Sequence, residues 1–119
     1  MKGHVDLYGR ALVTVTVQPP KLDGQDIEVW IDTGFTGDLV LPSQQIRDLG
    51  LFQSGTVKAI LADGSEVALQ RFACTVDWFG ERRELEVVAN DGEYPLLGVG
   101  MLVGHDLTIS YRTGEILIQ

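Results

Sequence analysis

At 119 residues the chain has room for one domain around one hydrophobic core, residues 1–119, and a two-lobed fold needing two such cores does not fit. A formal net charge of −8 and a pI of about 4.5 argue against nucleic acid or an anionic membrane as partner, since both are polyanions. Met1-Lys2-Gly3-His4-Val5-Asp6 lacks the apolar stretch of a signal peptide, and no run approaches membrane-spanning length, so a soluble cytoplasmic protein is expected.

In chain order, residues 11–17 alternate apolar and polar positions, the period of a strand with one buried face. Pro19-Pro20 ends it and residues 21–25 turn. Ile27 to Ile31 reads as the next strand, delivering Asp32 at its end, and residues 35–38 form a loop before a short strand, 39–41. Ser43 is placed to cap a helix of at most two turns that carries Ile46 and Leu49 inward and is closed by Gly50.

The centre is β-rich. Residues 56–61 and 66–72 flank Ala62-Asp63-Gly64-Ser65, and Asp-Gly between strand-like runs predicts a hairpin whose two turn residues tolerate positive φ. The second arm is long enough to reach Trp78, with a turn at 79–81, a returning strand at 83–89 and a further turn at 90–93. Leu96-Leu97 reads as a short buried strand, 98–103 as a short helix weakened by Gly100, and 107–111 with 115–119 as a closing hairpin. Many short strands with frequent turns predict an all-β barrel with one or two short helices.

The single cysteine, Cys74, excludes a disulfide within the chain and reads as a buried structural thiol, since no His is near it in sequence. His4 and His105 lie far apart and show no metal-ligand spacing, so neither metal nor cofactor is expected. Trp30, Trp78 and Phe79 read as core or interface aromatics.

The chemistry concentrates in Val29-Trp30-Ile31-Asp32-Thr33-Gly34. An apolar strand projects a carboxylate into a tight turn whose backbone N–H groups can hold it. Apolar-apolar-Asp-Thr-Gly followed by Leu39-Val40-Leu41 resembles the active-site segment of aspartic proteases. Tyr94-Pro95-Leu96-Leu97-Gly98 is similar to the apolar-apolar-Gly signature before the last helix of the single-lobed, retropepsin-like members, which include retroviral proteases and small bacterial relatives. The order of the parts also matches, over nearly the whole chain from Tyr8.

The resemblance implies a small closed acid-protease barrel and hydrolysis of peptide bonds in a peptide or protein substrate. It implies catalytic roles at Asp32, Thr33 and Gly34, with Thr33 bracing the partner loop. It implies a flap over substrate with its tip at Ala62, Asp63, Gly64 and Ser65, and loop support from Phe35, Leu96, Leu97 and Gly98. Two carboxylates that share a site share a proton and so supply an acid and a base together; the aspartic-protease pair is a standing example of this effect. Asp32 alone is followed by Thr-Gly, so the second carboxylate must come from another copy, on the axis of a homodimer. Two departures from the family pattern are Phe35, where Ala or Ser is common, and Val99, where retroviral members often carry an internally paired Arg.

Two rival readings stay open. Asp followed by Thr and Gly is superficially similar to phosphate-handling turns, but the regular strand–helix alternation of such enzymes is absent. A non-enzymatic dimeric peptide-binding module with the same fold is the other.

Overall fold

The computed structural model describes residues 1–92 and 94–119; Glu93, the last residue of the turn expected at 90–93, lies outside them. The strands are β1 (Lys2–Val5), β2 (Ala11–Gln18), β3 (Gln25–Ile31), β4 (Leu39–Pro42), β5 (Gln53–Ile60), β6 (Glu66–Trp78), β7 (Glu81–Asn90), β8 (Leu96–Leu97), β9 (Leu107–Ile109) and β10 (Glu115–Ile118). Two short helices, α1 (Ser43–Leu49) and α2 (Val99–Leu102), complete the all-β architecture.

The strands lie in one sheet in the order β5-β6-β7-β4-β8-β3-β2-β1-β10-β9, and a further β6–β2 pairing closes it on itself. Thr16 opposite Asp77 and Val17 opposite Val76 make that closure. The ring therefore runs β6-β7-β4-β8-β3-β2, with β5 and the terminal strands as flanges. Alternation along β2 and β3 turns Val13, Val15, Val17, Ile27, Val29 and Ile31 into the core, where Leu41, Val87 and Ile118 meet them. Full burial of each such side chain stabilises the fold by about 1.5–3 kcal/mol.

Two features were not foreseen, and one local reading is corrected. Strand β1 carries no alternation in its sequence; it is held from both sides, by β2 and by β10. The N-terminal ammonium donates to Ile118 O and Ile118 N donates to Met1 O, both at 2.8 Å, so both termini are paired within the chain. Ser43 does not cap α1: Pro42 takes the cap position, and the Ser43 hydroxyl donates to Asn90 O at 3.3 Å. Gly50 does close that helix, in the left-handed conformation at φ 68°.

Cys74 sits on β6 in the core, and burial pushes its thiol up to about 11. At pH 8 the thiol is protonated and covered, so a maleimide should modify it slowly in the native protein and rapidly in denaturant; equal rates would show that the β6–β7 core is open.

Candidate active site

Outward alternation along β3 places Glu28, Trp30 and then Asp32 on one side. Asp32 follows directly on the strand, and its N–H donates to Leu97 O at 2.8 Å. Its Oδ1 accepts the Gly34 N–H at 2.9 Å, and Phe35 N donates back to Asp32 O at 3.2 Å. The carboxylate is thus held by the turn that follows it. Thr33 is exposed, and its hydroxyl has no hydrogen-bond partner among the described residues.

The support comes from a crossing of segments. Strand β8 runs parallel to β3 and antiparallel to β4, with Leu97 opposite both Ile31 and Leu39. Beyond it, Gly98 N donates to Asp38 O at 2.8 Å, Val99 N to Phe35 O at 2.7 Å and Gly100 N to Gly37 O at 2.9 Å. The approach is so close that a Cβ on Gly98 would overlap Gly37 O and the Phe35 ring, and one on Gly100 would overlap the Asp38 carboxylate. Phe35 lies across Gly37 and Gly98, behind the loop. From β7, Arg83 Nη2 donates to Gly100 O at 2.9 Å and lies 3.9 Å from Asp38 Oδ1.

Asp32 opens onto a cavity of about 320 Å³ lined by Trp30, Ile31 and Leu96 as well. Around Trp30 stands a shell that sequence reasoning missed. Tyr94 meets Trp30 edge-on at 6.2 Å, and the Arg10 guanidinium lies 4.3 Å from the Tyr94 ring and 5.2 Å from that of Tyr8. The signal for Trp30 was available, since it stands two positions before Asp32 on one strand face; Arg10 and Tyr94 are far from it in sequence.

The hairpin expected to be a flap is formed by β5 and β6, paired from Gln53–Phe72 to Ile60–Glu66. The tip differs from the expected two-residue turn. Gly64 N donates to Leu61 O and Leu61 N to Ser65 O, and Gly64 at φ 84° takes the left-handed conformation without Asp63. This is a three-residue loop with a glycine bulge. The Asp63 carboxylate accepts from Ser65 Oγ at 2.6 Å and Ser65 N at 2.9 Å; these bonds, the hydroxyl's first, hold its carboxyl below the ordinary range.

A larger cavity, about 520 Å³, lies at the root of the flap against Phe52, Cys74 and Leu85. The Cys74 thiol on its wall is protonated at neutral pH. Among the described residues no three His, Cys, Asp or Glu side chains gather in a way that could hold a metal ion, and no helix is long and apolar enough to cross a membrane.

No protein-family model and no curated sequence matches the chain. Solved structures do. A retropepsin-like aspartic protease from Rickettsia conorii superposes with a TM-score of 0.70 at 17% identity, over 99% of this chain and 88% of that one. EIAV protease complexed with the inhibitor HBY-793 gives a TM-score of 0.63 at 19% identity, over 87% and 97%. The simian foamy virus (mac) protease gives 0.56 at 20% identity, over 77% and 91%. The fold of this chain is the retropepsin-like aspartic-protease fold.

The glycine at 98 is a direct test of the crossing. Gly98→Ala should lower stability by about 1–3 kcal/mol through overpacking against backbone that has little room to move; an unchanged thermal midpoint would show that the loop yields freely.

Proposed function

We propose that the 119 residues act as one catalytic unit, an aspartic endopeptidase that hydrolyses peptide bonds through a water activated by two Asp32 carboxylates on a homodimer axis. One observation carries the reading. In a fold shared with aspartic proteases, the lone Asp-Thr-Gly carboxylate stands at a cavity mouth, pinned by Leu97 O through its backbone and by the Gly34 N–H through its side chain. With one proton between the pair, the ionised member takes a proton from water as the water oxygen bonds to the scissile carbonyl carbon. The protonated member gives its proton to the carbonyl oxygen. Collapse of the tetrahedral intermediate breaks the C–N bond: one carboxyl gives its proton to the departing amine while a hydroxyl of the intermediate returns its proton to the other carboxylate, so the pair again holds one proton. Thr33, exposed beside Asp32, is available to brace the facing loop. Phe35, Leu96, Leu97 and Gly98 support the carboxylate from behind, and the tip at Ala62, Asp63, Gly64 and Ser65 closes over bound peptide.

The surface beside Asp32 suits a second copy. Two chains that each carry −8 repel, so their contact has to be nearly uncharged. Leu7 and Tyr8 project from the β1–β2 loop, Tyr111 projects from the β9–β10 turn, and the two turns are joined where Val5 N donates to Gly114 O. Two guanidinium groups lie there: that of Arg10 is paired with Asp6 at 2.7 Å, and that of Arg112 is exposed beside Tyr111. Asp6 also accepts from Tyr8 N and Arg10 N, so the loop that displays Leu7 and Tyr8 is stiff before any partner arrives.

The mechanism is tested by mixing. Asp32→Asn should abolish cleavage of a peptide library and leave the dimer intact. In mixtures of wild-type and Asp32→Asn chains, activity should follow the square of the wild-type fraction, because only wild-type pairs hold two ionisable groups. Linear dependence, with exchange complete, would overturn the shared pair. Peptide binding without cleavage by wild type would favour the non-enzymatic module.

The interface has its own test. Tyr8→Asp should raise the dimer dissociation constant roughly thirtyfold, the equivalent of ~2 kcal/mol for a hot-spot aromatic. Burial alone would raise the Asp6 carboxyl, but the hydrogen bonds from Arg10 and Tyr8 outweigh it and hold it below its ordinary 3.8. A carboxyl depressed on folding stabilises above its unfolded value and loses that contribution as pH falls through the folded one. The loop, and with it dimerisation, should therefore weaken below about pH 3.8, as sedimentation at graded pH would show; tighter dimers in Tyr8→Asp, or a loop unchanged by acid, would remove this surface from the contact.

A further inference from the structure

We propose that Arg83 is a positioning residue for Asp32, clamping the active-site loop to the first turn of α2 from outside both. This rests on the protease reading above.

The backbone bonds from Asp32 N to Leu97 O, Gly98 N to Asp38 O, Val99 N to Phe35 O and Gly100 N to Gly37 O lace the loop to the segment behind it. The lacing ends at Gly100. There the Arg83 guanidinium takes the Gly100 carbonyl at 2.9 Å and faces Asp38 Oδ1 at 3.9 Å, while Asp38 Oδ2 accepts the Glu86 N–H from β7 at 3.4 Å. Among the described residues, no other side chain from a different element hydrogen-bonds to either segment.

Three features argue for positioning over general stability. The α2 helix is a four-residue turn in which Val99 O and Leu102 O accept from Val103 N and His105 N, while Gly100 O takes its bond from Arg83. Gly98 and Gly100 leave no side chain of their own to wedge the segment in place. Finally, a guanidinium can serve a carbonyl and a carboxylate together from a planar fork, which an ammonium does less well. Both side chains are partly exposed, so the ion pair adds little to the global folding free energy. Its effect is local: it fixes where the loop, and the carboxylate at its other end, sits relative to β8.

The test compares Arg83→Met and Arg83→Lys with wild type, at protein concentrations where all three are dimeric. Amide hydrogen exchange is read at Gly98, Val99 and Gly100, and kcat and KM on a cleaved library peptide. Arg83→Met should speed exchange at those three amides about tenfold or more while leaving the β2–β3 core protected. It should lower kcat by up to about 10²-fold at nearly constant KM, as expected when a catalytic group is misplaced by a fraction of an ångström. Arg83→Lys should recover part of both. If Arg83→Met fails to fold, Asp38→Asn, which keeps the Gly100 bond, should give the same pattern more weakly. Unchanged exchange at Gly98–Gly100 would overturn the clamp, as would a fall in kcat that Arg83→Lys does not relieve at all. A wild type that cleaves nothing defeats the protease reading instead, and the exchange arm still decides whether the clamp exists.

Discussion

A two-residue strand holds the functional end of the molecule together. Leu96–Leu97 enters between β3 and β4, pairing parallel to one and antiparallel to the other. The chain leaving β3 has to pass around its end before rejoining the sheet as β4, and the loop made by that detour contains Asp32-Thr33-Gly34. Four of its backbone groups, Asp32 N, Phe35 O, Gly37 O and Asp38 O, find partners in the four residues that follow Leu96. A carboxylate at an unsupported strand end would share the fraying of that end. Here the Asp32 backbone N–H is bonded to Leu97 O and its side chain to the Gly34 N–H, and the glycines at 98 and 100 are the cost of bringing two backbones that close.

Much of the barrel was legible because its strands bury one face. Alternation at 11–17 and the apolar run at 27–31 located β2 and β3 to within a residue or two, and Gly50 marked the end of α1. The turn after β3 and the strand behind it were legible as short motifs, Asp32-Thr33-Gly34 and Leu96-Leu97-Gly98, because glycine stands next to specific neighbours in both. Strand β1 was not legible: Lys2-Gly3-His4-Val5 has no pattern of its own and exists because β2 and β10 pair with it. The same holds for Arg83 and Arg10. Each acts on groups that the sheet topology brings near and that local spacing does not reveal.

The two hairpin turns of β6 show why turn chemistry alone misleads. At one end Asp63-Gly64 has the residues of a turn with two positive φ values, yet Asp63 uses its carboxylate to bond Ser65 and keeps a negative φ. At the other end Phe79 and Gly80 take φ values of 51° and 80°, although phenylalanine resists that conformation. A left-handed non-glycine residue costs roughly 1–2 kcal/mol. The Phe79 ring stacks on His105 at 4.4 Å and meets Trp78 edge-on at 5.2 Å. Such aromatic contacts contribute about 0.5–1.5 kcal/mol each, enough to offset the strain. Tertiary packing decides the turn that faces α2 and β9, and local hydrogen bonding decides the tip that projects away from the barrel.

Sharing one site between two strongly acidic chains sets opposite demands on their contact. Two unit charges 4 Å apart repel by ~4 kcal/mol at the effective dielectric of a protein surface, against ~1 kcal/mol in water. On the proposed axis that repulsion would fall on the two Asp32 carboxylates, and a proton shared between them would relieve it. Acid also acts on Asp6. Its carboxylate has to stay ionised to hold Tyr8 N, Arg10 N and the Arg10 guanidinium, and through them the loop that displays Leu7 and Tyr8. The hydrogen bonds that depress Asp6 keep the loop intact to lower pH than an ordinary carboxylate would. The demands on the two carboxylates are therefore separate: Asp32 is held at the end of β3 by Leu97 O and the Gly34 N–H, and Asp6 holds the β1–β2 loop.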